Sequence, residues 1–293
     1  MSSTAKMKTA AKGPVRISQK ILIPLSIVMI VAATLAFFKH TPITATVPNG
    51  RVFTSSRMPT GEHFLHHRQK TAPMWVYRGL HAVPAIIWSI GMPLQHVDSI
   101  RKRWPVLHRT AGYVLLSLSL LLSITGGWFL FAKHAYSHDN RFHLHNLNGL
   151  SPIPWPTFEV TTWAVTPAYW LTMYKTVRTA RARDFARHRK WAVLHTICGS
   201  VISAERVSLV VLYAVGFATT LWPEAVVHDF FGVGRSLNDV AEAELSVFAL
   251  GNMLAFAAVL LWVYYDFRRA GYFGRAGGRL SAGGGTAIAK KLM

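Results

Sequence analysis

TAGYVLLSLSLLLSITGGWFLFA, residues 110–132, carries no charged side chain. A helical residue rises about 1.5 Å, so about 20 apolar residues are enough to cross the hydrocarbon core of a bilayer. The stretch therefore reads as a transmembrane helix, and five more of the same kind surround it. Upstream lie Ile21 to Phe38 and Met74 to Val97; downstream lie Trp155 to Tyr174, Trp191 to Trp222 and Ala243 to Tyr265. The fifth is long enough to be tilted or broken. Pro93 and Pro167 are expected to kink their helices, which a bilayer tolerates where a neighbouring helix or water satisfies the freed carbonyl. The expected fold class is an all-α integral membrane bundle of about six transmembrane helices.

The distribution of charge sets an orientation. Lys and Arg between alternate spans fall into two groups, 21 on one side and 8 on the other. The larger group includes Lys6 to Lys20, Arg101 to Arg109, Arg178 to Lys190 and Arg268 to Lys291; the smaller includes Arg51, Arg57, Arg68, Lys133 and Arg235. The positive-inside rule then places both termini in the cytoplasm, and an even number of spans requires them to share a side. The expected organisation is a basic tail over 1–20, a membrane domain over 21–266 and a Gly-rich, basic, disordered tail over 267–293. A net charge of +20 would ordinarily point to nucleic acid. Several bilayer-length apolar runs exclude that reading, and assign the excess charge to loops held against anionic lipid.

The two ends add expectations about targeting. The first twenty residues lack acids and are rich in Lys, Ser and Thr, as in a transit peptide, but the apolar run that follows is long for a signal sequence and reads as a retained anchor. Lys290-Lys291-Leu292-Met293 looks like a dilysine retrieval signal of the endoplasmic reticulum. The sole cysteine, Cys198, excludes an intramolecular disulfide and reads as a small buried residue.

Ionisable residues inside a membrane are costly and need an explanation. Glu205 and Arg206 stand about fifteen residues into the fifth span, and Arg78 and His81 in the first turns of the second, so all four are expected in one outer layer. Neighbours on a helix point about 100° apart, so Glu205 and Arg206 are not expected to face one partner. A second polar layer is expected at the cytoplasmic edge, from His96, His108, His188 and His195. His81 and His96 share roughly one helix face at opposite ends, a placement like that of transmembrane cytochromes, in which imidazoles from different helices ligate haem iron axially. The loop histidines His134, His138, His143 and His145, and the run His63, His66 and His67, raise a metal reading. Loop spacing is too permissive to carry one, and no metal is assigned.

The stretch LHAVPAIIWSIGMPLQHVDSIRKRWPVLHRTAGYVLLSLSLLLSITGG, residues 80–127, with the later ARHRKWAVLH and Glu205-Arg206, resembles a family of membrane proteins catalogued as domain of unknown function 2306. The positions that carry the resemblance are His81, Gln95, His108, Arg109, Gly112, Tyr113, His188, Arg189, Trp191 and Arg206, within residues 75–215. The resemblance implies a compact helical membrane bundle and no established activity. The histidine placement alone is similar, more loosely, to cytochrome b-type transmembrane reductases.

Two functional expectations follow. The first is a haem b-binding electron-transfer protein with an unnamed redox partner, in which His81, His108, His188, His195 and His96 supply ligands. The second is a cofactor-free transporter or scaffold. There Arg78, Glu205, Arg206 and Gln95 belong to a buried polar network, and the pairs His108-Arg109 and His188-Arg189 bind lipid headgroups. A lipid-modifying enzyme is a third class, but no nucleophile motif supports it.

Overall fold

The computed structural model describes residues 13–38, 72–132, 155–219, 221–230 and 237–273, and every element among them is helical. In chain order these are α1 (Gln19–Phe38), a π-helical segment (Val76–Ala82) running into α2 (Val83–Gln95), α3 (Asp98–Arg103), α4 (Pro105–Phe131), α5 (Phe158–Arg181), α6 (Phe185–Gly199), α7 (Val201–Thr219), a second π-helical segment (Ala225–Phe230) and α8 (Leu237–Arg269). Three helical stretches are long and apolar enough to cross a membrane: Pro105–Phe131, Phe185–Leu212 and Phe248–Arg269. Helices also stand at the other three expected positions. Large apolar side chains face outward along the bundle, among them Leu35, Val106, Phe131, Leu260 and Leu261, a surface suited to lipid rather than water.

The second helix starts in π geometry for a reason in its sequence. Pro84 has no N–H to give to the carbonyl four residues back, and its ring crowds that carbonyl. The turn before it widens, so that the N–H of Val83 bonds the Arg78 carbonyl five residues back. The fifth apolar stretch is broken, as its length suggested. Ser200 closes α6 by giving its N–H to both Thr196 and Ile197 and its hydroxyl to the Thr196 carbonyl at 2.8 Å. The chain then continues as α7.

This α6–α7 rod is the axis of the bundle. Its apolar window is 56% buried, against 28% for α4 and 39% for α8, because α1, α5 and α8 all pack on it. α2 lies between α1 and α4, and α5 returns along α6 as an antiparallel hairpin closed by Arg183 at φ 56° and capped by Asp184, whose carboxylate accepts the Arg187 N–H.

Both expected tail boundaries shift. Gly13–Ser18, assigned by composition to a tail, is a strap built into the core. Its alternation buries Val15 and Ile17 beside Val193, Phe267 and Ala270, while Arg16 points outward. The Gly13 N–H bonds the Ala270 carbonyl at 3.1 Å, and the Ser18 N–H bonds Asp266 at 2.9 Å. Phe267 and Ala270 are likewise core residues rather than the start of a disordered tail. The loop histidines 63–67 and 134–145, Lys290-Lys291 and the first twelve residues lie outside the described residues. Cys198 is half-buried rather than fully enclosed.

Candidate functional site: histidines on hydroxyl partners

The four histidines of the expected second polar layer gather about His96. His96, at the C-terminus of α2, lies within reach of the charges of His108 in the first turns of α4 and of His188, Arg189 and His195 on α6, and His108 lies within reach of that of His188. What they bond to is less expected.

His195 is the most enclosed, with 1% of its surface exposed. Its Nε2 lies 3.1 Å from the Ser119 hydroxyl of α4 and its Nδ1 3.4 Å from the Thr172 hydroxyl of α5. Ser119 also accepts the indole N–H of Trp88, on α2, at 2.8 Å, and the Tyr169 ring lies 4.7 Å from the imidazole. Either neutral tautomer satisfies both nitrogens. With hydrogen on Nδ1, the ring donates to Thr172 and accepts from Ser119. With hydrogen on Nε2, it donates to Ser119, which passes its own proton to the Leu115 carbonyl, and accepts from Thr172. One imidazole thus joins α4, α5 and α6 directly and α2 through Ser119.

The other histidines follow the same pattern. The Thr196 hydroxyl lies 2.8 Å from His96 Nε2 and 2.9 Å from the Ala192 carbonyl, so it accepts from the imidazole when Nε2 carries the proton. Thr125 can give its proton to the Leu121 carbonyl, and its hydroxyl lies 2.8 Å from His81 Nδ1, accepting when that nitrogen is protonated. His81 packs edge-on against Phe129 and over Gly126, where an added Cβ would stand 3.7 Å from Cε1. His188 Nδ1 donates to the Thr176 carbonyl at 3.1 Å, which leaves its Nε2 as the lone-pair nitrogen. His108 Nδ1 is buried and has no hydrogen-bond partner among the described residues.

The two His-Arg pairs diverge. Arg189 meets Asp98 of α3 at 2.6 Å, and the same carboxylate takes Arg101 at 3.0 Å and Arg16 at 3.6 Å. Arg189 is therefore an internal latch instead of the headgroup ligand expected of it. Arg109 stays exposed. Gln95 and Gly112 do meet: a Cβ on Gly112 would lie 3.6 Å from the Gln95 amide oxygen.

In the expected outer layer, the described contacts of Arg78 and His81 run to α1 and α4. Arg78 sits over the Phe37 ring at 5.5 Å, and His81 bonds Thr125. Glu205 is fully buried, and the Arg206 guanidinium curls back to it at 3.8 Å. The two neighbours thus pair with each other, because a long Arg side chain can bridge the angle that separates their Cα–Cβ directions.

Sequence reading missed Ser119, Thr125, Thr172, Thr196 and Trp88, and the acids Asp98 and Asp266. Asp266 accepts from both the Ser18 N–H and the Trp262 indole. Among the described residues, no group of three or more His, Cys, Asp and Glu side chains is arranged to hold a metal ion. Comparison with protein-family models, curated proteins and solved structures returned no match.

Proposed function

We propose that this chain is a multi-pass membrane protein crossing the bilayer six times, with both termini in the cytoplasm. In this reading it acts as a cofactor-free helical scaffold whose histidines are ties between helices. The observation that carries it is the environment of His195. Both nitrogens are engaged in either neutral tautomer, and the network ends on an indole N–H and on carbonyls, none of which relays a proton onward. An axial haem ligand needs a bare nitrogen, and a proton path needs titratable groups at both ends. His96 is likewise committed to Thr196 through one nitrogen.

A second reading, haem b held by His108 and His188, has one observation in its favour. A histidine that donates Nδ1–H to a carbonyl presents Nε2 in the manner of an oriented metal ligand, and His188 does so to Thr176. A dithionite-reduced minus oxidised spectrum separates the two. The scaffold reading expects a featureless difference from folded protein expressed with haem supplied. A b-type α-band that disappears in His108→Ala or His188→Ala, but survives in His195→Gln, would replace it with the haem reading.

A further inference from the structure

We propose that the elbow between α3 and α4 binds an anionic phospholipid, with its phosphate against Lys102 and Arg103 and its acyl chain along Trp104, Val106 and Leu107. The proposal rests on the membrane reading above and names a lipid class for one place on the molecule.

The elbow sorts its charges. α3 reads DSIRKR, and its inward side is neutralised: Asp98 takes Arg101 from its own helix, Arg189 from α6 and Arg16 from the strap. Lys102 and Arg103 point outward, as does Arg109 one turn into α4, and none of the three has an acidic partner among the described residues. Directly beside this positive edge is a shallow hollow of about 480 Å³ lined by Arg103, Trp104, Pro105, Val106 and Leu107. Trp104 is 49% exposed, Val106 70% and Leu107 54%, although each is large and apolar. The Arg103 guanidinium lies 5.2 Å over the Trp104 ring, so the cationic head stands at the rim of the apolar hollow.

A surface that is apolar within and cationic at one edge fits an amphiphile with an apolar chain and a negative head. Trp at this level is the residue type that anchors at membrane interfaces. Soluble anions lack the chain that the hollow would cover. A zwitterionic lipid would fill the hollow and bring a phosphate too, but its choline cation offsets the attraction of that phosphate to Lys102 and Arg103, so the charge complementarity favours a headgroup of net negative charge.

The test uses the full-length chain in detergent with equal amounts of phosphatidylglycerol and phosphatidylcholine, and reads retained lipid by native mass spectrometry. Wild type is expected to retain phosphatidylglycerol preferentially. Each basic residue at a membrane surface contributes about fivefold (about 1 kcal/mol), so K102Q/R103Q should lose roughly 25-fold of that preference. Trp104→Ser should weaken retention of both lipids. Arg268→Gln, at the basic end of α8, should change neither. Equal loss in Arg268→Gln, or displacement of lipid by soluble glycerol phosphate, would reduce the effect to general charge and overturn the site. All four positions are exposed, and unchanged helical circular dichroism in the single variant Lys102→Gln provides a folded case should the double variant fail. Release of wild type from membranes by alkaline carbonate would defeat the membrane reading itself. Firm retention in membranes with no lipid preference would defeat only the elbow site.

Discussion

Gly199 faces the Trp88 ring so closely that a Cβ added there would stand 2.6 Å from Cζ2 and 2.8 Å from Cη2. The indole cannot retreat easily, because its N–H is held by Ser119 and its ring is buried. The contact joins α2 to the axial rod just where His195 and Ser119 join the rod to α4. Close approach of two backbones through a small residue is the usual basis of helix association in lipid.

Gly199→Ala should therefore lower stability by about 1–3 kcal/mol through overpacking, although Ala is the better helix former. Gly127, on α4, has nothing within 4 Å of its added Cβ. Gly127→Ala should be neutral or stabilising by up to about 1 kcal/mol. Thermal unfolding of the two variants in one detergent, followed by tryptophan fluorescence, checks both signs. A Gly199→Ala variant as stable as Gly127→Ala would mean that the bundle opens there without cost.

His195→Ala should cost about 2–4 kcal/mol, since it leaves a cavity and removes the partner of two buried hydroxyls. The part that belongs to the Ser119 bond is smaller. Hydrogen bonds between helices in membranes average about 0.6 kcal/mol and reach about 1.7. A double-mutant cycle of His195→Ala with Ser119→Ala should give a coupling in that range. A coupling of zero would deny that the two side chains interact.

Asp98 binds three arginines yet is 38% exposed, so its ion pairs are partly screened by water. Asp98→Asn should cost about 1 kcal/mol or less at low ionic strength. Its clearer signature is salt dependence. Wild-type melting temperature should fall between low and 1 M NaCl, and the variant should lose that slope or reverse it, as salt relieves repulsion among Arg16, Arg101 and Arg189. Parallel slopes would show that Asp98 does not hold the latch.

The strap offers a local readout. Asp266→Ala removes the acceptor of the Ser18 N–H and the Trp262 indole. Trypsin should then cut after Arg16 well before the rest of the bundle opens. Asp266→Asn keeps an acceptor oxygen and should restore most of the protection. Equal cleavage rates in all three proteins would mean that Asp266 does not fasten the strap.

The helices were legible in the sequence because a bilayer-length apolar run has few other readings, and Thr110 to Ala132 needed no further context. The grouping of His108, His188 and His195 near His96 follows from their positions along the helices. Their partners were not legible. Ser119, Thr125, Thr172 and Thr196 look like ordinary spacers in a membrane helix, since a hydroxyl there can always return its proton to a carbonyl three or four residues back. Only the packing of helices brings a second acceptor or donor to the same oxygen. Val15 and Ile17 were not legible because two apolar residues alternating among Lys and Arg give too short a pattern, and their partners Val193, Phe267 and Ala270 lie far away in the chain.

That separation has a consequence for biosynthesis. The Gly13 amide finds its acceptor on Ala270. The strap is translated long before the end of α8 and must wait for it before it can settle. Until α8 emerges, Val15 and Ile17 lack the part of their apolar seat that Phe267 and Ala270 supply, and the strap stays open. Closure joins the strap to the end of α8, so a ribosome that stalls within α8 would leave that strap unsealed.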